Sequence, residues 1–332
     1  QWIVQTKVRP TLQTRRLAMT HSPNILAVGG AHVDRRGQVS GADVPAASNP
    51  GTMREDVGGG VFNALRTAVR RGVSASLLSV RGGDGAGDTV ARAVVEAGVA
   101  DLSVTFLDRT TPSYTALLDR EGELIIGFAD MALYEAAFPK QMRRAKVREA
   151  LDAVDAVLCD ANLPAAALER LVGLAQSKPI FAVAISPAKV VRLDPILDRL
   201  ALLFMNRREA AALTGMEREA PIKTLVSGLQ EAGLKSGVIT SGNEAVLGFD
   251  AKGSFTISPP AARHVADVTG AGDALAGATV AALLKGLDLR QALREGVAAA
   301  LLAIESPDAV PKFDASSFAK ALALVPQVEE VA

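Results

Sequence analysis

A glycine-containing segment near the C-terminal end of the chain, residues 267–277, has the residue types that phosphoryl transfer requires. The segment reads DVTGAGDALAG. Gly270, Ala271 and Gly272 carry little side chain, so consecutive backbone N–H groups can converge on an anion. Asp273 follows directly, and a carboxylate fixed beside a phosphate-binding turn can take the proton from an attacking hydroxyl. The segment therefore predicts a catalytic base next to an anion-binding turn.

The residues after Asp273 predict the helix that would position this turn. The run ALAGATVAALLKGL has the alanine and leucine content of a buried helix, which places the glycines at its N-terminus. Free N–H groups and the helix dipole attract phosphate at such an end. Taken alone, the motif leaves a structural alternative open, in which the glycines form a tight turn and Asp273 only caps the helix.

A second glycine-rich segment, VGGGVFNALRTAVRRG, lies much earlier in the chain. Gly58, Gly59 and Gly60 open a predicted helix that ends at Gly72. The first two glycines allow a ligand close to the backbone, and Asn63 in the first turn can offer a donor and an acceptor to sugar hydroxyls. The structural alternative is a plain helix entry with a polar first-turn residue.

These two segments, in this order, resemble the N-terminal and C-terminal signatures of the PfkB (ribokinase-like) carbohydrate kinases. The resemblance implies that the backbone of residues 270–272 forms the anion hole and that Asp273 is the catalytic base. It also implies that the earlier glycine pair and Asn63 hold the sugar. The sequence departs from the family pattern at two positions, where Val61 replaces a usual glycine and His32 replaces a frequent asparagine.

Apolar runs separated by helical segments predict a parallel sheet. Residues 24–30 read NILAVGG, the pattern of a buried first strand, and a predicted helix joins the apolar runs at 156–163 and 179–186. Ligands of doubly wound sheets collect outside the carboxyl ends of strands, which makes Asp34 and Asn162 substrate-site candidates. A turn aspartate and a helix cap are the respective structural alternatives.

An alternating segment, residues 111–128, breaks at Asp119–Gly122 and predicts a β-hairpin. A hairpin inserted in an α/β chain suits a lid that covers the substrate and excludes water. The resemblance implies an α/β, ribokinase-like, doubly wound and mostly parallel sheet flanked by helices, with a small β lid from segments near 35–57 and 104–130. In the family such lids often pair between subunits, so a homodimer through the lid is expected.

Three segments sharpen the expected function. NPGTMREDVGGGVFNALRTAVRRG, TPSYTALLDREGELIIGFADM and CDANL look like segments of the pseudouridine kinases within the family. The likeness implies ATP-dependent phosphorylation of the 5′-hydroxyl of pseudouridine, with Ser113, Tyr114, Thr115 and Asp130 on the substrate side. For these four residues, the exposed face of a half-buried sheet is the structural alternative. The functional alternatives are a kinase of the same fold for ribose, fructose, 2-keto-3-deoxygluconate or adenosine, and a non-catalytic nucleoside-binding protein.

Two strand ends in the second half of the chain predict where the phosphoryl donor binds. Asn206 and Glu209 stand three residues apart at a strand-to-helix junction and share one helical face. They resemble the family's Asn-x-x-Glu motif, which implies that Glu209 holds Mg²⁺ through water; a charge pair at a helix start is the alternative. Thr240 and Gly242 follow a later strand, where the family binds ATP phosphates or ribose, although Ala245 replaces a frequent glycine.

A further pair of residues, Asp267 and Thr269, matches positions that line a monovalent cation site in family members. The resemblance therefore implies ATP and Mg²⁺ as cofactors, and adds K⁺ through this pair. A structural hydrogen bond is the alternative role for both residues.

Other phosphate and metal motifs lack support in this sequence. A GxxxxGK[ST] loop is absent, and the turn at Gly82–Asp84 gives no G-x-G-x-x-G in register, which argues against a Walker-type loop and a dinucleotide site. The three histidines, His21, His32 and His264, are far apart in sequence, so a catalytic zinc is not expected. Cys159 is the single cysteine and lies in an apolar run, which predicts a buried thiol.

The composition favours a small-molecule partner. The 332 residues are 49% hydrophobic and 22% charged, which suits one large α/β domain. Basic and acidic residues number 36 each, so no excess charge indicates a nucleic acid or membrane partner. We expect a cytoplasmic protein with residues 21–332 as the kinase domain. Residues 1–20, which contain no acid, are expected to be a disordered leader or an extension foreign to the natural start.

Overall fold

The computed structural model describes residues 22–308 and 310–331. The strands are β1 Asn24–Val28, β2 His32–Val39, β3 Gly51–Gly58, β4 Ser74–Leu78, β5 Val80–Gly82, β6 Ala100–Asp101, β7 Val104–Phe106, β8 Ser113–Leu118, β9 Leu124–Asp130, β10 Ala156–Asp160, β11 Ile180–Val183, β12 Leu202–Asn206, β13 Gly237–Thr240, β14 Val246–Asp250, β15 Gly253–Ile257 and β16 Glu329–Val331. The helices are α1 Gly60–Arg70, α2 Gly85–Glu96, α3 Ala132–Gln141, α4 Ala145–Asp152, α5 Ala165–Ala175, α6 Pro187–Val190, α7 Arg207–Thr214, α8 Ile222–Glu231, α9 Ala271–Leu284, α10 Leu289–Ile304 and α11 Ala315–Leu324, with a 3-10 helix at Val191–Arg199.

The main sheet of the described chain has the order β16-β15-β14-β13-β12-β11-β10-β1-β4-β6. From β6 to β13 neighbouring strands are parallel, whereas β14, β15 and β16 pair antiparallel at one edge. The inner strands β10 and β11 are buried at every residue, because helices cover both faces of a parallel sheet. The expected mostly parallel α/β sheet is confirmed.

The first strand lies at the point where the strand order reverses. β1 pairs with β10 on one side and with β4 on the other. Its side chains alternate between two cores, with Ile25 and Ala27 in one and Leu26 and Val28 in the other. In doubly wound sheets the ligand crevice opens outside the carboxyl ends of the strands at such a switch point. The residues that follow β1 and β10 are therefore the first to inspect for a site.

A small second sheet forms the lid, with the order β3-β2-β8-β9. The antiparallel pair of β8 and β9 is the hairpin that the alternating segment predicted, while β2 pairs with β8 in parallel. Every residue of β9 is exposed. The lid therefore presents an open edge strand to solvent.

The second lid segment begins at Ser113, later than the expected boundary near residue 104. Val104–Phe106 instead forms β7 and pairs with β5. The glycine-rich turn after β5 holds this part of the chain, because Gly83 N–H donates to the Phe106 carbonyl at 2.9 Å and Thr111 N–H to the Asp84 carboxylate at 2.9 Å. These hydrogen bonds keep residues 104–111 beside the main body, and only the chain beyond them reaches the lid.

A close contact between two helices sets the geometry of the site. Gly277 lies one turn after Asp273 in α9, and a Cβ at Gly277 would lie 2.0 Å from the Ala64 carbonyl oxygen of α1. Only glycine permits this approach without displacing a helix. The contact brings the first turn of α1 beside the first turn of α9.

No helix in residues 22–308 and 310–331 is long and apolar enough to cross a membrane. The expected leader at residues 1–20 lies outside the described residues. The partition into a leader and one kinase domain therefore stays a prediction.

Candidate active site

Asp273 stands in the first turn of α9 with its carboxylate directed at α1. It is half-buried, and its Oδ2 accepts a hydrogen bond from Asn63 Nδ2 at 2.9 Å. Burial raises the pKa of Asp273 to about 7, opposed by this hydrogen bond and by the charge of Arg66. A carboxylate with a pKa near neutral pH matches the requirement for a general base. The helix-cap alternative is wrong, because the cap residue is Gly270 and no side chain caps α9.

The predicted anion-binding turn lies immediately in front of this carboxylate. Gly270 has a left-handed backbone with φ of 79° and begins the helix, followed by Ala271 and Gly272. The first N–H groups of a helix have no acceptor within it. Gly272 is exposed, and a Cβ there would meet no atom within 4 Å. The turn thus presents backbone donors to an open space, as an anion site requires.

The glycine pair that was predicted to bind sugar connects the main sheet to the lid. Gly59 has φ of 109°, and a Cβ there would lie 2.2 Å from the Gly30 carbonyl oxygen, just past β1. Gly58 ends β3, and a Cβ there would lie 2.0 Å from Asp34 Oδ2. Both glycines therefore allow Asp34 and the end of β1 to approach α1.

Asn63 has a different environment from the one that the sequence suggested. Its side chain is buried, with Nδ2 on the Asp273 carboxylate and Oδ1 accepting a hydrogen bond from Arg66 Nη2. Arg66 also donates to the Val57 carbonyl at 2.8 Å. Arg66 was not among the predicted site residues. Its position three residues after Asn63, on the same helical face, was the available signal.

Asp34 is contacted by His32, and His32 is in turn contacted by Tyr134. His32 Nε2 lies 3.3 Å from Asp34 Oδ1, and His32 Nδ1 lies 3.1 Å from the Tyr134 hydroxyl. The Tyr134 hydroxyl also lies 3.1 Å from the Ala31 carbonyl oxygen. Because histidine replaces the family's frequent asparagine at position 32, the ring nitrogen Nε2 lies next to the candidate sugar-binding carboxylate of Asp34. Tyr134 lies in a part of the sequence without a motif.

Asn162 is fully engaged with protein groups. Its Nδ2 donates to the Asp160 carboxylate at 3.0 Å, and its Oδ1 accepts from Lys189 Nζ at 2.6 Å. It does not cap α5, whose cap residue is Pro164, so that structural alternative is wrong. The buried Asp160 carboxylate also accepts from the backbone N–H groups of Gly30 and Val61 at 3.1 and 3.2 Å. Asp160, which was not among the predicted site residues, therefore connects β10 to the turn after β1 and to the start of α1.

The candidate residues of the lid lie beside Asp34. In the pairing of β2 with β8, Asp34 is opposite Tyr114 and Arg35 is opposite Thr115, while Ser113 is paired with Asp130 of β9. The three residues of β8 are half-buried, and Asp130 is exposed. The strand pairing thus places these lid residues at the edge of the site.

The candidate donor residues lie at the carboxyl ends of two neighbouring strands. Asn206 ends β12 and is paired with Thr240, which ends β13. Asn206 Oδ1 accepts from Glu209 N–H at 2.9 Å, and Glu209 Oε2 accepts from Asn206 N–H at 2.7 Å. This reciprocal capping box starts α7, and burial raises the pKa of Glu209. Gly242 follows with φ of 63° and open space around it.

Asp267 connects the anion-binding turn to the lid. Its Oδ1 accepts from Thr269 N–H at 2.8 Å, and its Oδ2 contacts Arg36 Nη1 of β2 at 2.5 Å. Although burial raises it, these hydrogen bonds hold the pKa of Asp267 below its ordinary value. Both oxygens of the candidate cation ligand therefore already have protein donors.

Two further predictions from the sequence concern the thiol and the metal ligands. Cys159 is a buried thiol, and burial raises its pKa to well above neutral. Within residues 22–308 and 310–331, no group of three or more His, Cys, Asp or Glu side chains can hold a metal ion. A divalent ion at this site would therefore need other ligands, such as phosphate oxygens and water.

Known proteins share the sequence pattern and the fold of this chain. The pfkB family carbohydrate kinase profile matches residues 22–315. A pseudouridine kinase from Escherichia coli (strain K12) is 26% identical over 279 residues, 83% of this chain and 88% of that protein. The structure of a carbohydrate kinase from Agrobacterium tumefaciens is 45% identical with a TM-score of 0.82, covering 93% of this chain and 100% of the other.

An Arabidopsis thaliana ribokinase, whose structure is complexed with ribose and ATP, is 21% identical with a TM-score of 0.80 over 91% of this chain and 99% of its own. It shares the fold, and the expected ribokinase-like architecture is confirmed. The chain belongs to the pfkB family of carbohydrate kinases.

Proposed function

We propose that this ATP-dependent kinase phosphorylates the 5′-hydroxyl of a nucleoside, and that the nucleoside is pseudouridine. Family membership makes the chain a sugar or nucleoside kinase, which decides against a non-catalytic binding protein. The observation that carries the proposal is the half-buried Asp273 carboxylate, directed at the acceptor side and set behind the open first turn of α9. The similarity to a pseudouridine kinase supports the choice of acceptor.

The proposed reaction is an in-line phosphoryl transfer. Asp273 takes the proton of the 5′-hydroxyl while that oxygen bonds to the γ-phosphorus of ATP. The bond from the γ-phosphorus to the β–γ bridging oxygen breaks, and ADP leaves with that oxygen. The N–H groups of residues 270–272 stabilise the charge on the transferring group. Asn63 holds the carboxylate in place during the transfer.

On the acceptor side, Asp34 is the main proposed ligand of the ribose hydroxyls. Its carboxylate is fixed by His32 and packed against Gly58, and the backbone of Gly59 borders the same space. Tyr114, which is paired with Asp34 and shares its face of the lid sheet, would close this space from the lid, whereas the predicted residue Thr115 points to the opposite face. Asn162, whose amide is bound by Asp160 and Lys189, is buried, so it would support this space from the sheet rather than bind the sugar directly. These groups would position the hydroxyl rather than carry out the chemistry.

On the donor side, Asn206, Glu209, Thr240 and Gly242 would border ATP and Mg²⁺. One Glu209 oxygen serves the capping box, which leaves the other for a water-mediated contact with the ion. This single carboxylate fits an ion that keeps most of its ligands as water and phosphate. When bound, Mg²⁺ neutralises charge on the phosphates.

A monovalent cation fits Asp267 and Thr269 poorly. Arg36 and the Thr269 N–H already occupy both carboxylate oxygens of Asp267. A K⁺ ion bound through this carboxylate would lie next to the Arg36 guanidinium and be repelled by its charge. We therefore assign no step of the reaction to K⁺.

We further propose that the protein is a cytoplasmic homodimer joined through the lid. Leu124, Ile126 and Phe128 of β9 are each more than half exposed, and an apolar edge strand of this kind favours a partner. Light scattering should give twice the mass of the chain. The variant Phe128→Glu should give the mass of one chain, and a wild-type mass of one chain would rule out the dimer.

A coupled ADP-release assay over a panel of acceptors tests the choice of substrate. Pseudouridine should give the highest kcat/KM, above uridine, adenosine, ribose, fructose and 2-keto-3-deoxygluconate. Activity on ribose or fructose with no activity on pseudouridine would reject the proposed acceptor and leave the kinase assignment intact.

A further inference from the structure

Resting on the proposed function, we infer that Arg66 is a positioning residue for the catalytic base. Arg66 holds the Asn63 amide in the one orientation that places an N–H group on the Asp273 carboxylate.

The chemistry of the three side chains fixes this orientation. An arginine guanidinium has donors and no acceptor, so the Asn63 atom that contacts Arg66 must be the carbonyl Oδ1. The amide nitrogen Nδ2 then has to face Asp273, at 2.9 Å. Without Arg66 the amide could rotate by half a turn and present its oxygen to the carboxylate. That arrangement would place two acceptors in contact and destabilise the ionised base.

Several contacts hold Arg66 itself in place. Its guanidinium lies 4.6 Å from the centroid of the Phe62 ring, and its Nη2 donates to the Val57 carbonyl at the end of lid strand β3. Burial lowers the pKa of Arg66 to about 10, so it stays charged at neutral pH. The same guanidinium therefore links the lid, α1 and the catalytic base.

Charged groups from three elements face Asp273. They are Arg66 from α1, Asp34 from β2 and Asp160 from β10. Arg66 in turn is faced by Arg70 of its own helix and by Asp56 of β3. Arg66 is the cation among the groups that face the base, so its loss should raise the pH at which Asp273 ionises, both directly and through the freed Asn63 amide.

The structure also provides room and a matched control for the test. Behind the guanidinium lies a cavity of about 370 Å³ whose lining includes Arg66 and Arg70, so a smaller side chain at position 66 creates no clash. Arg70 lies one turn later on the same helix and is exposed. Its loss removes an equal charge from the same cavity without touching Asn63.

The experiment measures kcat/KM for pseudouridine with ATP between pH 5.5 and 9 for the wild type, Arg66→Met and Arg70→Met. The wild type should lose activity below a pH near 7 as Asp273 becomes protonated. In Arg66→Met the pH below which kcat/KM falls should rise by about one unit. At pH values below it, kcat/KM should therefore be roughly tenfold lower than in the wild type. Arg70→Met should keep the wild-type profile. A folded Arg66→Met variant with the wild-type limb would overturn the inference.

A double variant separates positioning from charge. In an Asn63→Ala background, Arg66→Met should move the limb much less than in the wild type, because the amide through which it acts is gone. Equal shifts in both backgrounds would contradict the positioning role. If Arg66→Met does not fold, Arg66→Gln serves instead, since glutamine loses the charge and offers an acceptor as well as donors, so it no longer fixes the amide orientation. A wild-type limb in Arg66→Gln would then overturn the inference.

Thermal unfolding gives a readout without turnover. Asp273 binds its proton more tightly in the folded state, so its ionisation should lower Tm relative to Asp273→Asn as pH rises from about 4 to about 7. In an Arg66→Met background this decline should extend to higher pH, and an unchanged decline would count against the inference. A wild type that shows this decline but phosphorylates no acceptor would refute the proposed function alone.

Discussion

The proposed acceptor side and the proposed donor side of the site are built in different ways. On the acceptor side, around Asp34, Asn63 and Asn162, each polar side chain is bound by a neighbouring side chain. The donor side has one such pair, Asn206 and Glu209, but its turns at Gly272 and Gly242 are exposed, and an added Cβ there would meet no atom within 4 Å. The acceptor is thus to be recognised by fixed side chains, and the phosphates by main-chain N–H groups and a helix N-terminus.

This contrast predicts different consequences of substitution on the two sides. A change on the acceptor side should disturb the orientation of several partners at once. A change on the donor side should act by filling space or by removing one charge, with little effect on folding. Four variants test this difference, beginning with the residue that lies between the two sides.

The largest effect is expected from Asp273→Asn. An amide cannot take the proton of the hydroxyl, so kcat should fall by roughly 10² or more, the scale for loss of a general base. KM for the acceptor should change little, because the amide oxygen can still accept from Asn63. Asp34→Asn is the control and should raise mainly KM. An unimpaired Asp273→Asn enzyme would remove Asp273 from the chemistry.

A second large effect is expected from Gly272→Val, which places a side chain in the open space before the turn. We expect kcat/KM for ATP to fall about tenfold or more, as for loss of electrostatic stabilisation of the transferring group. Gly173→Val is a matched control, since Gly173 is also an exposed helical glycine with no atom within 4 Å of a Cβ. Similar activities of the two variants would show that the turn does not contact phosphate.

Glu209→Gln should have a moderate and specific effect. Glutamine can also complete a capping box, so Tm should stay close to that of the wild type. Loss of the carboxylate should raise the Mg²⁺ concentration for half-maximal activity by roughly threefold to tenfold, because Mg²⁺ prefers charged oxygen ligands. Glu217→Gln, at an exposed residue after α7, is the control. An unchanged Mg²⁺ requirement would limit Glu209 to a structural role.

The smallest effect is expected from Arg36→Met in the wild-type assay buffer. Partly exposed ion pairs contribute about 1 kcal/mol or less, so activity should fall only about twofold. Dependence on K⁺ should increase, because the variant frees an oxygen of Asp267. Arg35→Met is the neighbouring control, since Arg35 pairs with Glu55 on the lid at 2.8 Å. Strong K⁺ activation of the wild type would contradict our assignment of Asp267.

The sequence predicted the local features of this site well. The hairpin of the lid, the helix after Asp273 and the strand-to-helix junction at Asn206 all lie where periodicity and turn residues indicated. These features depend on neighbouring residues, so a single sequence contains them. The lid boundary near residue 104 was wrong, because hydrogen bonds from Gly83 and to Asp84 hold that segment against the main body.

The partners of the site residues were beyond this kind of prediction. Arg66, Tyr134 and Lys189 belong to no motif that a single sequence identifies. A charged or polar residue on a helix is usually a solvated one, and only its neighbours in space show that it is engaged. Asp160 lay within the CDANL segment, and attention to each polar residue at a strand end would have found it.

The sequence by itself determined the chemistry available to this protein, because each signature is a run of consecutive residues whose types suffice to indicate an anion turn, a carboxylate base and glycine-lined entries. The tertiary structure alone decided which groups meet. Asn63 and Asp273 are separated by 210 residues, and they touch because a glycine in α9 lets two helices pack closely. Such a contact depends on the packing of whole elements, which no local pattern of residues specifies.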